Sequence, residues 1–322
     1  MSAIPLTPAG EVLAAEIART GPIPFSRFME VALYHPEFGY YRKPAGVFGT
    51  SGDFYTAEQL QPVFGRLIAR YLRMLAAEID LPEPVTVVEL GAGRAEMSEA
   101  FAGFRYIPVD IGFGAMPQRF SGIVFANEFF DAVPVDLIAA RGASVVEVRV
   151  AFDGERFRWV DGPLVDLRVE LEDGTRREIH TERLRWLDRI DEHLESGLIV
   201  IIDYGFTQKE LLRFPEGTLM SYRRHQALDD VLAEPGNRDI TAHVAFTELE
   251  EHGTRLGWRT VSFESLRAAL LRAGESDQFA EAIGGTSEAE REKHRLQLKS
   301  LLFGMGEIFR VLVQRKPVGH VK

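Results

Sequence analysis

A glycine-containing segment, Glu89-Leu90-Gly91-Ala92-Gly93, follows the β-branched residues 85–88 and has the composition of a ligand-binding turn. Glycine permits a positive φ and lacks the Cβ that would collide with a ligand above the turn. Dinucleotide sites use G-x-G-x-x-G, in which the third glycine packs close to the sheet and the helix start faces pyrophosphate. Here Glu96 takes the place of that third glycine, and its carboxylate opposes a pyrophosphate. With Glu89 ahead of the turn, the pattern favours a cationic ligand such as S-adenosylmethionine, which has no phosphate.

Asp110 ends the next predicted strand, at residues 104–109. An acidic side chain at such a position accepts hydrogen bonds from ribose hydroxyls, as it does in NAD sites. Asp110 therefore indicates an adenosine ligand without choosing between the two cofactors, and the choice depends on Glu89 and Glu96. The alternative is a glycine-rich turn that binds nothing. The predicted cofactor contacts at these two strand ends are Glu89, Gly91, Ala92, Gly93, Asp110 and Ile111.

An acidic segment, Asn127-Glu128-Phe129-Phe130-Asp131, follows a third predicted strand at residues 123–126. In open α/β sheets, ligands bind beyond the carboxyl ends of the strands. We therefore predict that Asn127 contacts the cofactor and that Glu128 and Asp131 are catalytic, near the donor methyl group. The alternative is helix capping, in which Asn or Asp satisfies free backbone N–H groups at a helix start.

Strands alternate with helical stretches after residue 85, which predicts a doubly wound parallel sheet. A fourth strand is expected at residues 197–203, which are almost wholly apolar, as in a parallel strand covered on both faces. Before the sheet, Pro24 can open a helix and residues 63–79 repeat apolar side chains at helical spacing. A helix can also follow the glycine turn through residues 97–101, and the tail returns to strand at 308–313.

The region between the third and fourth predicted strands has a different sequence pattern. Residues 145–150 and 156–160 alternate, and Asp153-Gly154 between them is a hairpin signal. Residues 181–196 have the pattern of an amphipathic helix closed by Gly197. We expect a helical region at 1–84 and a core at 85–322, with an insertion at about 140–195 and a substrate loop at about 214–246 within the core. The insertion and the loop are predicted to shape the acceptor site rather than the cofactor site.

Composition excludes several kinds of site. The net charge of −11 argues against broad nucleic-acid binding, which needs a basic face, and is compatible with a basic peptide partner. The absence of cysteine excludes disulfides, thiolate metal sites and cysteine nucleophiles, and the eight histidines show no metal-ligand spacing, so no metal is expected. No run approaches the roughly 20 apolar residues that span a bilayer. We expect a cytoplasmic protein with no signal or transit segment.

The chain is similar, nearly end to end, to the MidA-type methyltransferases. The mitochondrial members of that family are assembly factors of respiratory complex I and act as protein arginine methyltransferases. The resemblance is carried by residues 21–30 (GPIPFSRFME), 34–41 (YHPEFGYY), 52–56 (GDFYT), 89–93 (ELGAG), 127–134 (NEFFDAVP), 203–205 (DYG), 217–222 (GTLMSY), 239–244 (DITAHV) and 305–312 (MGEIFRVL).

This resemblance implies a Rossmann-like class I methyltransferase fold, a doubly wound sheet with a helical N-terminal region and an inserted β/α substrate subdomain. It implies S-adenosyl-L-methionine as cofactor and an arginine of a protein partner, a complex I core subunit, as acceptor. A homodimer is a possible assembly. The alternative function is a non-catalytic cofactor-binding assembly module, and a dehydrogenase is opposed by Glu96.

Two further candidate residues come from segments within the resemblance. Asp53, in the loop at 52–55, is a predicted cofactor contact because that loop could close over the ligand as a lid, with an ordinary loop as the alternative. His243 is predicted to contact the substrate in catalysis, with a structural Asp239–His243 hydrogen bond as the alternative. Asp239 and His243 could share a helical face, although the residues between them fit a strand or loop equally well.

Two departures from the family pattern carry expectations of their own. The family usually has glycine where Ala95 stands, a change that should leave the fold intact. The stretch between Gly93 and Asn127 is shorter than in the family, so that a helix and a strand around residues 112–121 are expected to be trimmed. The trimming would alter the adenine end of the cofactor site and leave the methionine end unchanged.

Overall fold

The structure, a computed structural model, describes residues 5–43, 61–166, 171–223, 226–228 and 230–319. The α-helices of these ranges are α1 (Pro8–Thr20), α2 (Phe25–Tyr34), α3 (Val63–Glu78), α4 (Thr181–His193), α5 (Phe246–Arg255), α6 (Leu266–Gly274), α7 (Glu288–Ser300) and α8 (Gly306–Ile308). The strands are β1 (Ile23–Pro24), β2 (Thr86–Leu90), β3 (Arg105–Val109), β4 (Phe120–Asn127), β5 (Asp136–Arg141), β6 (Ser144–Phe152), β7 (Phe157–Leu164), β8 (Arg176–Ile179), β9 (Leu194–Phe206), β10 (Met220–Arg223), β11 (Gln226–Leu228), β12 (Asp239–Thr241), β13 (Val244–Ala245), β14 (Arg259–Ser265) and β15 (Phe309–Lys316).

The chain divides into two compact units, each formed from several segments. Unit 1 consists of Met1–Tyr55, Ala132–Arg183 and Lys209–His243, and unit 2 of Thr56–Asp131, Leu184–Gln208 and Val244–Lys322. This division differs from the expected boundaries at residue 84 and at about 140–195, because α3 packs in the core of unit 2 whereas α1 and α2 pack in the core of unit 1.

Unit 2 is built on one large sheet in the order β14-β15-β9-β4-β2-β3. The four strands β3, β2, β4 and β9 run parallel. Strand β15 lies antiparallel between β9 and β14, so β14 runs in the same direction as the four. Strand β2 is buried along its whole length, as a strand covered on both faces must be. The strands predicted at 85–90, 104–109, 123–126, 197–203 and 308–313 all lie in this sheet, which confirms the doubly wound architecture.

Helices cover both faces of this sheet. On one face, the apolar sides of α3 and α6 share a core with Val311 and Val313 of β15. Side chains alternate between faces along a strand, so Gln314 points the other way. There it meets α5, where a Cβ on Gly253 would lie 2.2 Å from the Gln314 side-chain oxygen. The glycine at this point lets α5 approach the sheet closely.

Unit 1 combines helices α1 and α2 with a small antiparallel sheet in the order β1-β6-β5-β8, in which β7 also pairs with β6. The predicted hairpin at Asp153-Gly154 is confirmed: it joins β6 to β7, and the Asp153 carboxylate accepts the backbone N–H groups of Glu155 and Arg156. The predicted helix after Pro24 is also confirmed as α2. Its apolar side is buried in the core of unit 1 through Phe25, Phe28, Met29, Ala32 and Leu33. A second antiparallel group, β11-β10-β12, completes the unit.

Two predicted helices require correction. No helix forms at residues 97–101, where the chain passes through successive turns. Gly93 and Ala95, just before this segment, adopt positive φ values of 56° and 58°, so a right-handed helix cannot extend back through them. The helix predicted at 181–196 ends at His193, because Ser196 pairs with Ser121 as part of β9. Between β3 and β4 the chain forms no helix, only an isolated bridge from Asp110 to Phe113. The expected shortening relative to the family stays a prediction.

No helix within the described ranges combines the length and the apolar character that crossing a membrane requires.

Candidate functional site

The carboxyl ends of the parallel strands of unit 2 meet at one edge of the sheet, and the predicted cofactor residues lie there. Two hydrogen bonds join the glycine turn after β2 to the end of β3. The backbone N–H groups of Gly91 and Ala92 both donate to the carbonyl oxygen of Val109, at 3.0 and 3.2 Å. Gly91 adopts a φ of +71°, and a Cβ there would lie 2.8 Å from Cδ2 of Phe129. Glycine is therefore required by the backbone conformation and by the packing of Phe129.

Asp110 closes this turn from the end of β3. Its Oδ2 accepts the backbone N–H of Gly93 at 2.6 Å, and its Oδ1 accepts the N–H of Ile111. Sequence reasoning assigned Asp110 to a ribose and missed this role in shaping the glycine turn. The two roles are compatible, since an ionised carboxylate has about four acceptor positions.

Glu89 is a buried carboxylate beneath the same turn, with 1% of its surface exposed. Burial raises its pKa to about 7, the hydrogen bond donated by the Tyr106 hydroxyl acts in the opposite direction, and the negative charges of Glu96 and Asp110 raise it further. A cation bound nearby would stabilise the ionised form of Glu89. The predicted preference of this turn for a cationic ligand therefore has a physical basis in the structure.

The acidic segment after β4 forms a tight turn. The backbone N–H of Glu128 donates to the carbonyl oxygen of Ile202 at 3.0 Å, and those of Phe130 and Asp131 donate to Oδ2 of Asp203, at 3.1 and 3.2 Å. No helix begins here, and the chain continues to β5. Helix capping is therefore wrong as an explanation of these residues, because no helix starts here and β9 supplies the acceptors for the N–H groups of the turn.

The side chains of this turn present oxygen atoms at the sheet edge. Asn127 is 4% exposed, and its Oδ1 is buried without a hydrogen-bond partner in the described part of the chain. Its Nδ2 lies 3.4 Å from Oε1 of Glu128. Asp131 is 6% exposed, and its Oδ2 accepts the hydroxyl of Tyr204 at 2.6 Å. An orphaned amide oxygen and two carboxylates form a donor set that suits a cation.

His243 lies in unit 1, within a network of buried polar groups. Its backbone N–H donates to Oγ1 of Thr218, and its carbonyl oxygen accepts Nη1 of Arg183, at 3.0 and 2.7 Å. Arg183 is fully buried and also donates to the carbonyl oxygen of Ala242. Burial lowers the pKa of His243 below its ordinary value, so the imidazole is neutral at neutral pH.

The helical face proposed for Asp239 and His243 is wrong. Asp239 belongs to strand β12, which pairs with β10, and its carboxylate accepts the hydroxyl of Tyr41 at 2.9 and 3.0 Å. The apolar Ile240 and Ala242 lie in the core of unit 1, which is why this segment is extended.

The structure thus collects most of the predicted site residues at one sheet edge of unit 2: Glu89, Gly91, Ala92, Gly93, Asp110, Ile111, Asn127, Glu128 and Asp131. His243 belongs to unit 1, and Asp53 lies outside the described residues. Sequence reasoning missed Tyr106, Asp203 and Tyr204, which hold the acidic side chains and the turn. Asp203 could have been found by the rule that identified Asp110, since it also stands near the carboxyl end of an apolar strand.

A doubly wound sheet with a glycine turn, an acidic strand end and further carboxylate and amide oxygens at its carboxyl edge is typical of a methyltransferase that uses S-adenosylmethionine. The side chains at this edge fit that cofactor. Glu89 and Oδ1 of Asn127, which has no hydrogen-bond partner among the described residues, suit its ammonium group, and Asp110 suits its ribose.

Comparison with known proteins agrees with this class. A family model described as "Putative S-adenosyl-L-methionine-dependent methyltransferase" matches residues 107–264. The mitochondrial protein arginine methyltransferase NDUFAF7 homolog of Drosophila melanogaster is 30% identical, over 73% of this chain and 67% of the relative. NDUFAF7 of Xenopus tropicalis is 25% identical, over 73% of this chain and 68% of the relative.

A solved structure is also similar over nearly the whole chain. It is a COG1565 superfamily member from Burkholderia thailandensis bound to S-adenosyl-homocysteine, with 31% identity, a TM-score of 0.86, and coverage of 96% of this chain and 92% of that one. The chain belongs to the MidA-type family of S-adenosylmethionine-dependent methyltransferases, as the resemblance in its sequence indicated.

Proposed function

We propose that the protein transfers the methyl group of S-adenosylmethionine to an arginine of a protein partner. The observation that carries the proposal is the acidic turn, in which Glu128 and Asp131 lie at the strand end beside the glycine turn. The names of the relatives support it, since they are mitochondrial protein arginine methyltransferases. Family resemblance further suggests a core subunit of respiratory complex I as the partner.

Different residues of unit 2 are proposed to bind the cofactor and to promote the transfer of its methyl group. In this proposal, Glu89 and Asn127 hold the ammonium end of the cofactor and Asp110 holds its ribose. Bound S-adenosylmethionine supplies an electrophilic methyl group on a sulfonium. The backbone of the glycine turn fixes the position of the ligand, because its hydrogen bonds to Val109 and Asp110 exist before the ligand binds.

Glu128 and Asp131 act on the acceptor. A guanidinium is a poor nucleophile with a pKa above about 12, so its nitrogen must be aimed at the methyl carbon. Carboxylates accept its parallel N–H groups and fix its plane. As the nitrogen–carbon bond forms and the carbon–sulfur bond breaks, positive charge moves to the acceptor, where both carboxylates stabilise it. The methylated nitrogen then gives its surplus proton to a carboxylate of the turn.

His243 is proposed to contribute to acceptor recognition, together with the β insertion and the loop at about 214–246. Its neutral imidazole can accept or donate one hydrogen bond without adding a positive charge that would repel a guanidinium. His243→Gln should leave cofactor affinity nearly unchanged and lower methyl transfer. A collapse of cofactor affinity in that variant, measured by calorimetry, would contradict the assignment.

The test uses tritiated S-adenosylmethionine, the purified protein, and lysate of a strain that lacks the gene. Acid hydrolysis of the labelled protein should give methylarginine. Glu128→Gln and Asp131→Asn should keep the fold and the bound cofactor and reduce transfer by about a hundredfold or more, the scale of one lost electrostatic contact in the transition state. Glu78→Gln, an exposed carboxylate of α3, is the matched control and should transfer normally.

Label on lysine, on nucleic acid or on a small molecule, without methylarginine, would contradict the arginine assignment alone. Tight binding of S-adenosylmethionine with no transfer to any component would instead favour a non-catalytic assembly module.

A further inference from the structure

The acidic turn is held in an unfavourable backbone conformation. Glu128 adopts a φ of +49°, a region that residues with a Cβ avoid. Such conformations persist where the surroundings determine them, and they occur often at active sites. Here the determining contacts come from β9, through the carbonyl oxygen of Ile202 and the carboxylate of Asp203. The neighbouring strand therefore fixes the acidic turn before any ligand binds.

Asp203 is the centre of this arrangement and is fully buried. Its Oδ2 accepts two backbone N–H groups of the turn, and its Oδ1 accepts the backbone N–H of Tyr204 at 2.9 Å. One side chain thus fixes the turn and the first residue after itself. Asp203 therefore fixes the position of the Asp131 backbone relative to the Tyr204 backbone.

Tyr204 completes the arrangement through its side chain. Its hydroxyl donates to Oδ2 of Asp131 at 2.6 Å, and its ring packs edge-on against Phe309 of β15, with ring centres 5.5 Å apart. The ring packing fixes the hydroxyl, and the hydroxyl fixes the rotation of the Asp131 carboxylate. A donor to a carboxylate also favours its ionised form.

The charges around Asp131 explain why that donor matters. Glu128 lies on the same turn and Asp203 approaches from β9, and both are carboxylates. Neighbouring like charges favour the protonated form of a buried acid. The Tyr204 hydroxyl donates to the Asp131 side chain and thereby opposes this effect.

We propose that Tyr204 is the positioning residue of Asp131: it orients the carboxylate toward the acceptor and keeps it ionised for methyl transfer. The inference rests on the proposed function, because Asp131 must act on the acceptor for Tyr204 to act through it.

Tyr204→Phe tests this with the removal of one oxygen atom and retention of the ring against Phe309. Affinity for S-adenosylmethionine should stay within about twofold and the KM for the protein acceptor should change little, whereas kcat should fall at least tenfold. The acid limb of the kcat–pH profile should move to higher pH by about one unit, because Asp131 becomes easier to protonate. A residue that only supported the fold would not move that limb.

Tyr106→Phe is the matched control, since it removes the hydroxyl that donates to the other buried carboxylate, Glu89. It should weaken cofactor binding and leave the acid limb of kcat in place. A second readout does not need activity: the ¹³C carboxyl resonance of Asp131, identified by its loss in Asp131→Asn, should titrate at higher pH in Tyr204→Phe than in the unaltered protein.

The outcomes separate this inference from the function on which it rests. An acid limb and a carboxyl titration that do not move in Tyr204→Phe would overturn the positioning role even if Asp131→Asn is inactive. If Asp131→Asn transfers methyl groups normally, the proposed role of Asp131 fails, and that of Tyr204 fails with it.

Discussion

The glycine turn of unit 2 and the surroundings of His243 in unit 1 are held in place in different ways. Backbone groups fix the first, through the bonds of Gly91 and Ala92 to Val109. Buried side chains fix the second: Arg183 donates to the carbonyl oxygens of Ala242 and His243, 59 and 60 positions away in the sequence. A site built on strand ends can be recognised in a short segment, whereas a site built on distant side chains cannot.

Glu178 extends this contrast in unit 1. It is buried and accepts both the backbone N–H and the hydroxyl of Thr218, whose Oγ1 in turn accepts the N–H of His243. The position of His243 therefore depends on a buried carboxylate and a buried guanidinium at once. Substitution of Glu178 or Arg183 should therefore lower the stability of unit 1. Substitution of most side chains near the glycine turn should lower the stability of unit 2 by less.

The largest effect is expected from Arg183→Met. Two buried carbonyl oxygens lose their donors, at about 1–3 kcal/mol each, so the free energy of unfolding should fall by about 3 kcal/mol. Arg158→Met is the control in the same unit: that side chain is 57% exposed, lies 3.7 Å from Asp153, and should contribute less than about 0.5 kcal/mol. Equal losses for the two variants in urea denaturation would contradict the account of unit 1.

In unit 2, the buried carboxylate of Glu89 can be tested through the pH dependence of the free energy of unfolding. Its pKa of about 7 in the folded protein lies above its ordinary value of 4.5, so between these pH values the folded state binds more protons than the unfolded state. The contribution of Glu89 to stability is therefore full below pH 4.5 and is lost as the pH rises from 4.5 through 7, by about 3 kcal/mol if this group acts alone. Glu89→Gln should remove that dependence, as measured by denaturation at a series of pH values; an unchanged slope would show that other groups cause it.

A smaller effect, and a sharper comparison, is expected from Gly91→Ala and Gly142→Ala. Both glycines have a positive φ, +71° and +59°, so both variants should lose about 1–2 kcal/mol of stability from backbone strain. Only at Gly91 does the new Cβ meet another group, Phe129, whereas nothing lies within 4 Å at Gly142. Calorimetry should find cofactor affinity reduced at least tenfold in Gly91→Ala and unchanged in Gly142→Ala. Full affinity in both would contradict the placement of the cofactor over the glycine turn.

The smallest effect is expected at Ala95, where the family usually has glycine. Its φ of +58° is unfavourable for alanine, so Ala95→Gly should gain up to about 1 kcal/mol, partly offset by the greater freedom of glycine in the unfolded chain. The control Ala102→Gly, at an exposed turn position without a positive φ, should lose about 0.5–1 kcal/mol. A loss of stability in both variants would show that Ala95 is not strained.

The same contrast explains what could be predicted from the sequence. The strands that end at Leu90 and Asn127 were predicted because buried parallel strands are apolar runs. Asp110 and Glu128 were found because each follows a predicted strand of the sheet. The helix at 97–101 was predicted wrongly because apolar spacing over so few residues does not distinguish a helix from a series of turns.

Contacts between segments far apart in the sequence account for what was missed. Tyr204 contacts Asp131 across 73 positions, and Arg183 reaches His243 across 60. No local sequence pattern predicts either contact. The division into two units, each formed from three separate segments of the chain, also depends on contacts between distant segments.

Hydrogen–deuterium exchange with S-adenosylhomocysteine, which binds without turnover, tests the central claim most directly. The account predicts slower exchange on ligand addition in the peptides that cover residues 89–93, 110–111 and 127–131 of unit 2, and unchanged exchange in the β6–β7 hairpin of unit 1. Protection confined to that hairpin, or binding that leaves all three peptides unprotected, would contradict the account.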